Sequence, residues 1–162
     1  MSGPVVWVAE LHEAPVVAGL LVEFRDWNGG DWPSANAFLA SVERIIERGE
    51  GEFLLGSVDR DSRAAAICQL RYRFSVWVAA EDCWLEDLFV AETARGHGLG
   101  RAVVSAALER AAERGARRIE LDTKEWNEPA RGLYESLGFS NSSKGGGGRD
   151  LFYGRRLESR GS

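Results

Sequence analysis

Cysteine is scarce in this chain. Only Cys68 and Cys83 occur, neither in a Cys-x-x-Cys pair nor beside paired histidines, which removes a disulfide framework and a thiolate metal centre from the reading. Both sit in apolar, strand-like runs, so two buried free thiols and no metal are expected. Basic charge is also in deficit: the net charge is −5 and the pI is near 5.2. Affinity for a phosphate backbone needs a clustered basic surface, so no nucleic-acid partner is expected, and a small cation or a basic partner fits better. No apolar run approaches the roughly 18 residues that span a bilayer, and no basic segment leads into a long apolar stretch at the start. The expectation is a cytoplasmic protein with no membrane partner. Nor does any internal repeat, linker or long low-complexity segment divide the chain. What is there is 162 residues with 44% hydrophobic content, enough for one well-cored domain over 1–162.

Periodicity orders that domain. "PVVWVAE" (4–10) reads as a strand, and Val16, Val17, Leu20, Leu21 and Phe24 recur at helical spacing until "NGGDWP" breaks the pattern. Pro33 is expected in the first turn of a second helix, with Phe38, Leu39, Val42, Ile45 and Ile46 as its apolar stripe. Three strands follow in "EFLLGSV" (52–58), "AAAICQLRYRFSVWV" (64–78) and "DCWLEDLFV" (82–90), forming an antiparallel meander. A helix is predicted from Gly98 to Arg114, closed by Gly115, then a strand in "RRIELDT" (117–123) and a short helix in "EPARGLYESLG" (128–138). A hairpin from Phe139 through "SSKGGGG" to "RDLFYGRRL" is expected to finish the sheet.

"ARGHGLGRAV" puts Gly96, Gly98 and Gly100 between a strand and a helix start. Such a turn points free N–H groups outward, adds the positive end of a helix dipole, and lets an anion approach without a Cβ in the way. A tight connection without ligand is the competing reading of the glycines alone. A phosphate loop of the Walker type requires lysine and then serine or threonine after the last glycine, where Arg101 and Ala102 stand. The dinucleotide fingerprint fails too, since its third glycine position falls on Arg101 or Val103. What remains is Arg95-x-x-Gly98-x-Gly100.

"LEDLFVAETARGHGLGRAV" followed by "EWNEPARGLYESLGF" resembles the GNAT superfamily of acyl-CoA-dependent N-acetyltransferases, the two blocks covering residues 84–139. "LEDLFV" and "EWNEP" are similar to the diamine acetyltransferase branch, the spermidine/spermine and thialysine enzymes. The resemblance implies an α/β (α+β) fold with a mixed central sheet of about seven strands flanked by four helices, acetyl-CoA as co-substrate, and a homodimer. It implies that Arg95, Gly96, His97, Gly98, Leu99, Gly100 and Arg101 hold the pyrophosphate through their backbone amides. Leu88, Phe89 and Val90 would then pair with the pantetheine arm, as an added peptide strand would, while Asn127 and Ala130 also meet the cofactor.

Acetyl transfer needs a neutral amine, stabilisation of an oxyanion and a proton for the departing thiolate. By the resemblance Tyr134 is the proton donor; the competing reading is a ring packed on the core. Asn127 is equally an ordinary helix cap. Glu86 and Asp87 are adjacent, so a regular strand would turn them to opposite faces. The resemblance makes Glu86 a relay for the amine's proton and Asp87 an attractor for a cationic group, against a surface carboxylate and a structural one. Asp26, Trp27, Asp31 and Trp32 form an acidic and aromatic cluster able to hold an ammonium, or else loop packing with solvated acids. His97 is expected to act through its backbone. Glu120 and Asp122, alternating on the fifth strand, either reach a cleft or line an exposed face.

The expected function is transfer of an acetyl group to a small primary amine, with polyamine-like acceptors first and aminoglycosides or other xenobiotic amines next. A protein N-terminus or lysine is the different enzymatic reading. An acyl-CoA-binding sensor is the non-enzymatic one, disfavoured by Tyr134.

Overall fold

The computed structural model describes residues 3–142 and 145–159. Their contacts gather into two compact units, one running to Leu121 and one from Asp122 onward. The first unit contains β1 (Val5–Val8), α1 (Ala14–Trp27), α2 (Ala35–Arg48), β2 (Glu52–Ser57), β3 (Ala66–Ser75), β4 (Ala80–Val90), α3 (Leu99–Glu113) and β5 (Ala116–Glu120). The second contains α4 (Glu128–Ser136).

The five strands form one mixed sheet in the order β1-β2-β3-β4-β5. The first four are antiparallel neighbours, β1 and β2 joined through α1 and α2 and the others by short connections, while β5 runs parallel to β4 and is reached through the crossover helix α3. β2 is buried almost throughout because helices cover both faces of the sheet. On one face Leu55, Phe53, Ile67 and Phe89 pack with Val17, Leu20 and Leu21 of α1 and Val42 of α2. On the other, α3 buries Leu99, Val103, Val104 and Ala107. Gly56 is where α3 comes closest: a Cβ there would meet Val103 at 2.9 Å and Leu99 at 3.0 Å.

Helix ends follow local chemistry. Ser34, not Pro33, starts α2: its hydroxyl accepts the Ala37 N–H at 3.2 Å, and Pro33 sits before the cap, joined to Trp32 by a cis peptide bond. The left-handed Gly115 (φ 85°) follows α3. Cys68 and Cys83 are buried free thiols, as their apolar surroundings predict.

Two expectations change. The sheet has five strands rather than seven: among the described residues the terminal hairpin shrinks to a single bridge, Ser142 with Arg149, and 151–159 lie in no strand. Ser143 and Lys144 of its loop lie outside the described residues. Four successive glycines, all at positive φ, carry no side chains to hold a register, and Leu151, Phe152 and Tyr153 remain exposed. β5 also ends at Glu120, whose carboxylate lies 3.2 Å from Arg118 Nε, so Asp122 falls beyond the strand and is exposed. No helix among the described residues is long and apolar enough to cross a membrane, and none of their His, Cys, Asp and Glu side chains cluster as a metal would require.

Candidate active site

The chain leaves β4 through a 3₁₀ turn at Glu92–Ala94 and enters α3 at Gly98, the N-cap. Gly96 (φ 79°) and Gly98 (φ 75°) both adopt the left-handed conformation, which costs an L-residue about 1–2 kcal/mol. A Cβ at either would meet nothing within 4 Å. The glycines are therefore required by backbone conformation, and the space in front of them is open. As N-cap, Gly98 supplies no side-chain acceptor to the first turn of α3, where the positive end of the helix dipole lies. This fits the pyrophosphate of acetyl-CoA: open approach, N–H donors and positive potential. His97 does more than lend its backbone. Its Nδ1 lies 2.9 Å from the Arg95 carbonyl and 3.3 Å from that of Ala94; a carbonyl only accepts, so Nδ1 carries the proton and the ring ties the turn to itself.

Just upstream, β4 parts from β5. Their pairing ends at Trp84 with Glu120, whereas pairing with β3 runs on to Val90 with Ala66. Leu88, Phe89 and Val90 thus have an edge to which β5 does not pair, the geometry an extended amide chain needs. The alternation expected for Glu86 and Asp87 is broken. The β3 register slips between Ile67 and Gln69, and Asp87 sits in the bulge at φ 56°. Glu86 keeps a carboxylate 3.8 Å from Arg71. Asp87 is turned outward, exposed, at the rim of a cleft. Nothing in "LEDLFV" signals this bulge, because the run alternates as a regular strand does.

The cleft has a volume of about 320 Å³ and is walled by Leu21 and Phe24 of α1, Phe38 of α2, and Trp32 and Pro33 of the loop between them. Arg25 shapes it: one Nη donates to the Pro33 carbonyl at 2.7 Å, while Nε and the other Nη grip Asp26 at 3.0 and 2.8 Å. Asp26 is thereby paired with its neighbour and is not a lining residue. Trp27 also turns elsewhere, stacked on Phe24 and tilted against Phe89, each at 6.4 Å. Phe24 and Phe89 lie 5.1 Å apart. Arg95 completes this stack, its guanidinium 4.9 Å from the Trp27 ring and 5.9 Å from Phe89, and its Nε donates to the Val90 carbonyl at 3.0 Å. An aromatic ladder thus runs from the cleft wall through β4 to the glycine turn. Phe24 and Phe38 stand in helical stripes that sequence reading assigns to core; the loop's turn around Arg25 is what makes them wall.

In the second unit Asn127 is the N-cap of α4, and its side-chain oxygen accepts the Ala130 N–H at 3.4 Å. Both residues are engaged in the cap. Tyr134 is buried, with its ring edge-on to Phe139 at 5.8 Å.

Comparison with known proteins adds to this geometry. Residues 18–139 match the model of the acetyltransferase (GNAT) family. The uncharacterized N-acetyltransferase YhfO of Bacillus subtilis is 30% identical over 137 residues, 83% of this chain and 89% of that protein. The thialysine N-epsilon-acetyltransferase of Bos taurus is 31% identical over 67 residues, 41% of this chain and 39% of its own. A crystal structure of a candidate acetyltransferase from Arthrobacter sp. FB24 superposes with a TM-score of 0.85 at 26% identity, covering 94% of this chain and 96% of that one.

Proposed function

The chain belongs to the acetyltransferase (GNAT) family, and from that premise we propose that it acetylates the primary amine of a small molecule seated in the cleft beside Asp87. N-acetyl transfer with acetyl-CoA as co-substrate is the reaction of this family. Acetyl-CoA supplies an activated acyl carbon and a good leaving thiolate; the residues of this chain do the rest.

The amides of residues 95–101 hold the pyrophosphate, and Leu88, Phe89 and Val90 align the arm along the open edge of β4, with their N–H groups stabilising the oxyanion as it forms. Asp87 draws an ammonium to the cleft, and Glu86 accepts the proton that must leave before nitrogen attacks, through a water. Nitrogen adds to the acyl carbon, the oxyanion collapses with loss of the C–S bond, Tyr134 gives its proton to the departing sulfur, and the second proton of the nitrogen restores the tyrosine by way of solvent. Amine and acetyl donor react directly, with no covalent enzyme intermediate. Asn127 and Ala130 complete the cofactor contacts once α4 is capped.

The observation that carries this reading is the carboxylate of Asp87 at the rim of a small aromatic cleft. A volume of about 320 Å³ is enough to hold the body of a small metabolite. The similarity of "LEDLFV" and "EWNEP" to diamine enzymes, with the thialysine relative, supports an amine acceptor without fixing its body. The test is thiol release from acetyl-CoA scanned against primary amines, polyamines, aminoglycosides and short peptides. Selective release with one class of small amine is expected. Release only with peptides, or none despite measured acetyl-CoA binding, would overturn the proposal in favour of a protein acceptor or a sensor.

A further inference from the structure

Resting on the acetyl-transfer reading, we propose that the acceptor is a hydrophobic monoamine: one ammonium on an apolar body the size of a ring or branched chain, and not a chain of several amines. The walls of the cleft come from Leu21, Phe24, Trp32, Pro33 and Phe38, and among its lining residues Asp87 is the one carboxylate. A polyamine needs an acceptor for each ammonium, because a charged group moved against apolar walls loses hydration with no compensation. The two nearby acids do not provide it: Asp26, in the last turn of α1, is held by two nitrogens of Arg25, and Asp31 is not among the residues lining the cleft. The other charged group lining the cleft is Arg25 itself, pinned to the Pro33 carbonyl and only 17% exposed at its side chain. A second ammonium deep in the cleft would meet that guanidinium.

Charge and apolar surface are also separated in the way such a molecule requires. Asp87 is carried to the rim by the bulge, in a left-handed conformation that a non-glycine residue adopts only at a cost. The rings lie on the helices and the loop. One end of the acceptor thus meets a carboxylate and the other meets aromatic faces, among them Trp32, which is 73% exposed. Trp32 and Phe38 are specificity-determining residues in this account, and Asp87 holds the amine common to every substrate.

The experiment pairs turnover with equilibrium binding. Acetyl-CoA turnover is measured with 2-phenylethylamine, isopentylamine, putrescine and spermidine, and 2-phenylethylamine binding is followed by calorimetry, for the wild type and Trp32→Ala. Trp32 carries little of the core, so the variant keeps its fold. The expected kcat/KM is about ten-fold or more higher for the two hydrophobic monoamines than for spermidine. Trp32→Ala should raise the KM for 2-phenylethylamine about ten-fold with kcat little changed, and leave putrescine nearly unaffected. A preference for spermidine, or a KM for 2-phenylethylamine indifferent to Trp32, would overturn the assignment while acetyl transfer stands. Binding of 2-phenylethylamine that is weakened by Trp32→Ala, without turnover of any amine, would support the cleft assignment and sink the catalytic reading. Absence of both binding and turnover would overturn the proposal outright.

Discussion

Replacing Glu52 with glutamine tests what holds the helix behind the glycine turn. Glu52 opens β2 and lies under the C-terminal half of α3, where Arg110 donates to both carboxylate oxygens, from Nε at 3.0 Å and from an Nη. Arg114 adds a bond at 2.9 Å, and the Tyr72 hydroxyl donates at 3.3 Å. Arg114 also lies 4.1 Å over the Tyr72 ring. Burial by itself would raise the Glu52 carboxyl, but the bonds and charges of Arg110 and Arg114 outweigh it and hold the group below its ordinary 4.5. The Glu52 side chain is 13% exposed, yet the two arginines are 33% and 35% exposed and can rehydrate when released.

The glutamine keeps the shape and one accepting oxygen but loses the charge. Three charge-assisted bonds from two arginines weaken, each discounted for its partly exposed donor, so the variant should lose about 1–2 kcal/mol of stability near neutral pH. Because the folded group is depressed, its contribution is complete above the unfolded value of about 4.5 and disappears as pH falls through the folded value. The gap between wild type and Glu52→Gln must therefore be widest at neutral pH and narrow in acid. Urea unfolding followed by tryptophan fluorescence at about pH 7 and about pH 3.5 measures both midpoints. Coincident midpoints at neutral pH, or a gap that stays constant into acid, would refute the argument that this carboxylate clamps α3 to the sheet.

Tyr134→Phe should lower turnover about a hundred-fold while acetyl-CoA affinity stays as it was, since the ring still packs on Phe139; an unchanged kcat would remove the hydroxyl from the proton-donor role. Gly98→Val should weaken acetyl-CoA binding by about ten-fold or more, and Gly98→Asn by less, because the left-handed φ of 75° is the obstacle and asparagine tolerates it; wild-type affinity in the valine variant would contradict the pyrophosphate assignment. Burial, first, and the neighbouring Cys83 push the Cys68 thiol up, and burial raises Cys83 to about 11. Iodoacetamide at about pH 8 should thus label neither thiol in the native protein and both in urea, as mass spectrometry would show; rapid native labelling would contradict the packing of β3 and β4.

Where the chain obeys one period at a time, its sequence discloses the fold. The stripe of α1 and the runs of β2, β3 and β4 are legible because burial repeats at 3.6 or covers both faces, and Gly115 marks the end of α3 by a conformation other residues avoid. The glycine turn is legible for the same reason, since Gly96 and Gly98 occupy positive φ. The terminal hairpin fails because aromatic residues alone read as a strand, while the glycines before them supply no register. Asn127 is a different case: its cap with Ala130 and a contact with cofactor call for the same residue type, and the sequence offers no basis for separating them.

The cleft shows why the rest stays hidden. Asp26, Trp27, Asp31 and Trp32 look equivalent as a string of acids and indoles, but one tertiary contact sorts them. When Arg25 reaches the Pro33 carbonyl, it takes Asp26 as its counter-ion, Trp27 is left facing Phe89 and Arg95, and Trp32 goes to the cleft. The acid that reaches the cleft, Asp87, arrives from β4 by a register slip against β3 that depends on two strands at once. A negative rim and largely aromatic walls are thus set by long-range pairing rather than by composition. The same pairing puts Phe89 between the cleft wall and the glycine turn, so changes to the bulge should alter amine selection and cofactor alignment together, whereas changes to Trp32 should alter selection alone.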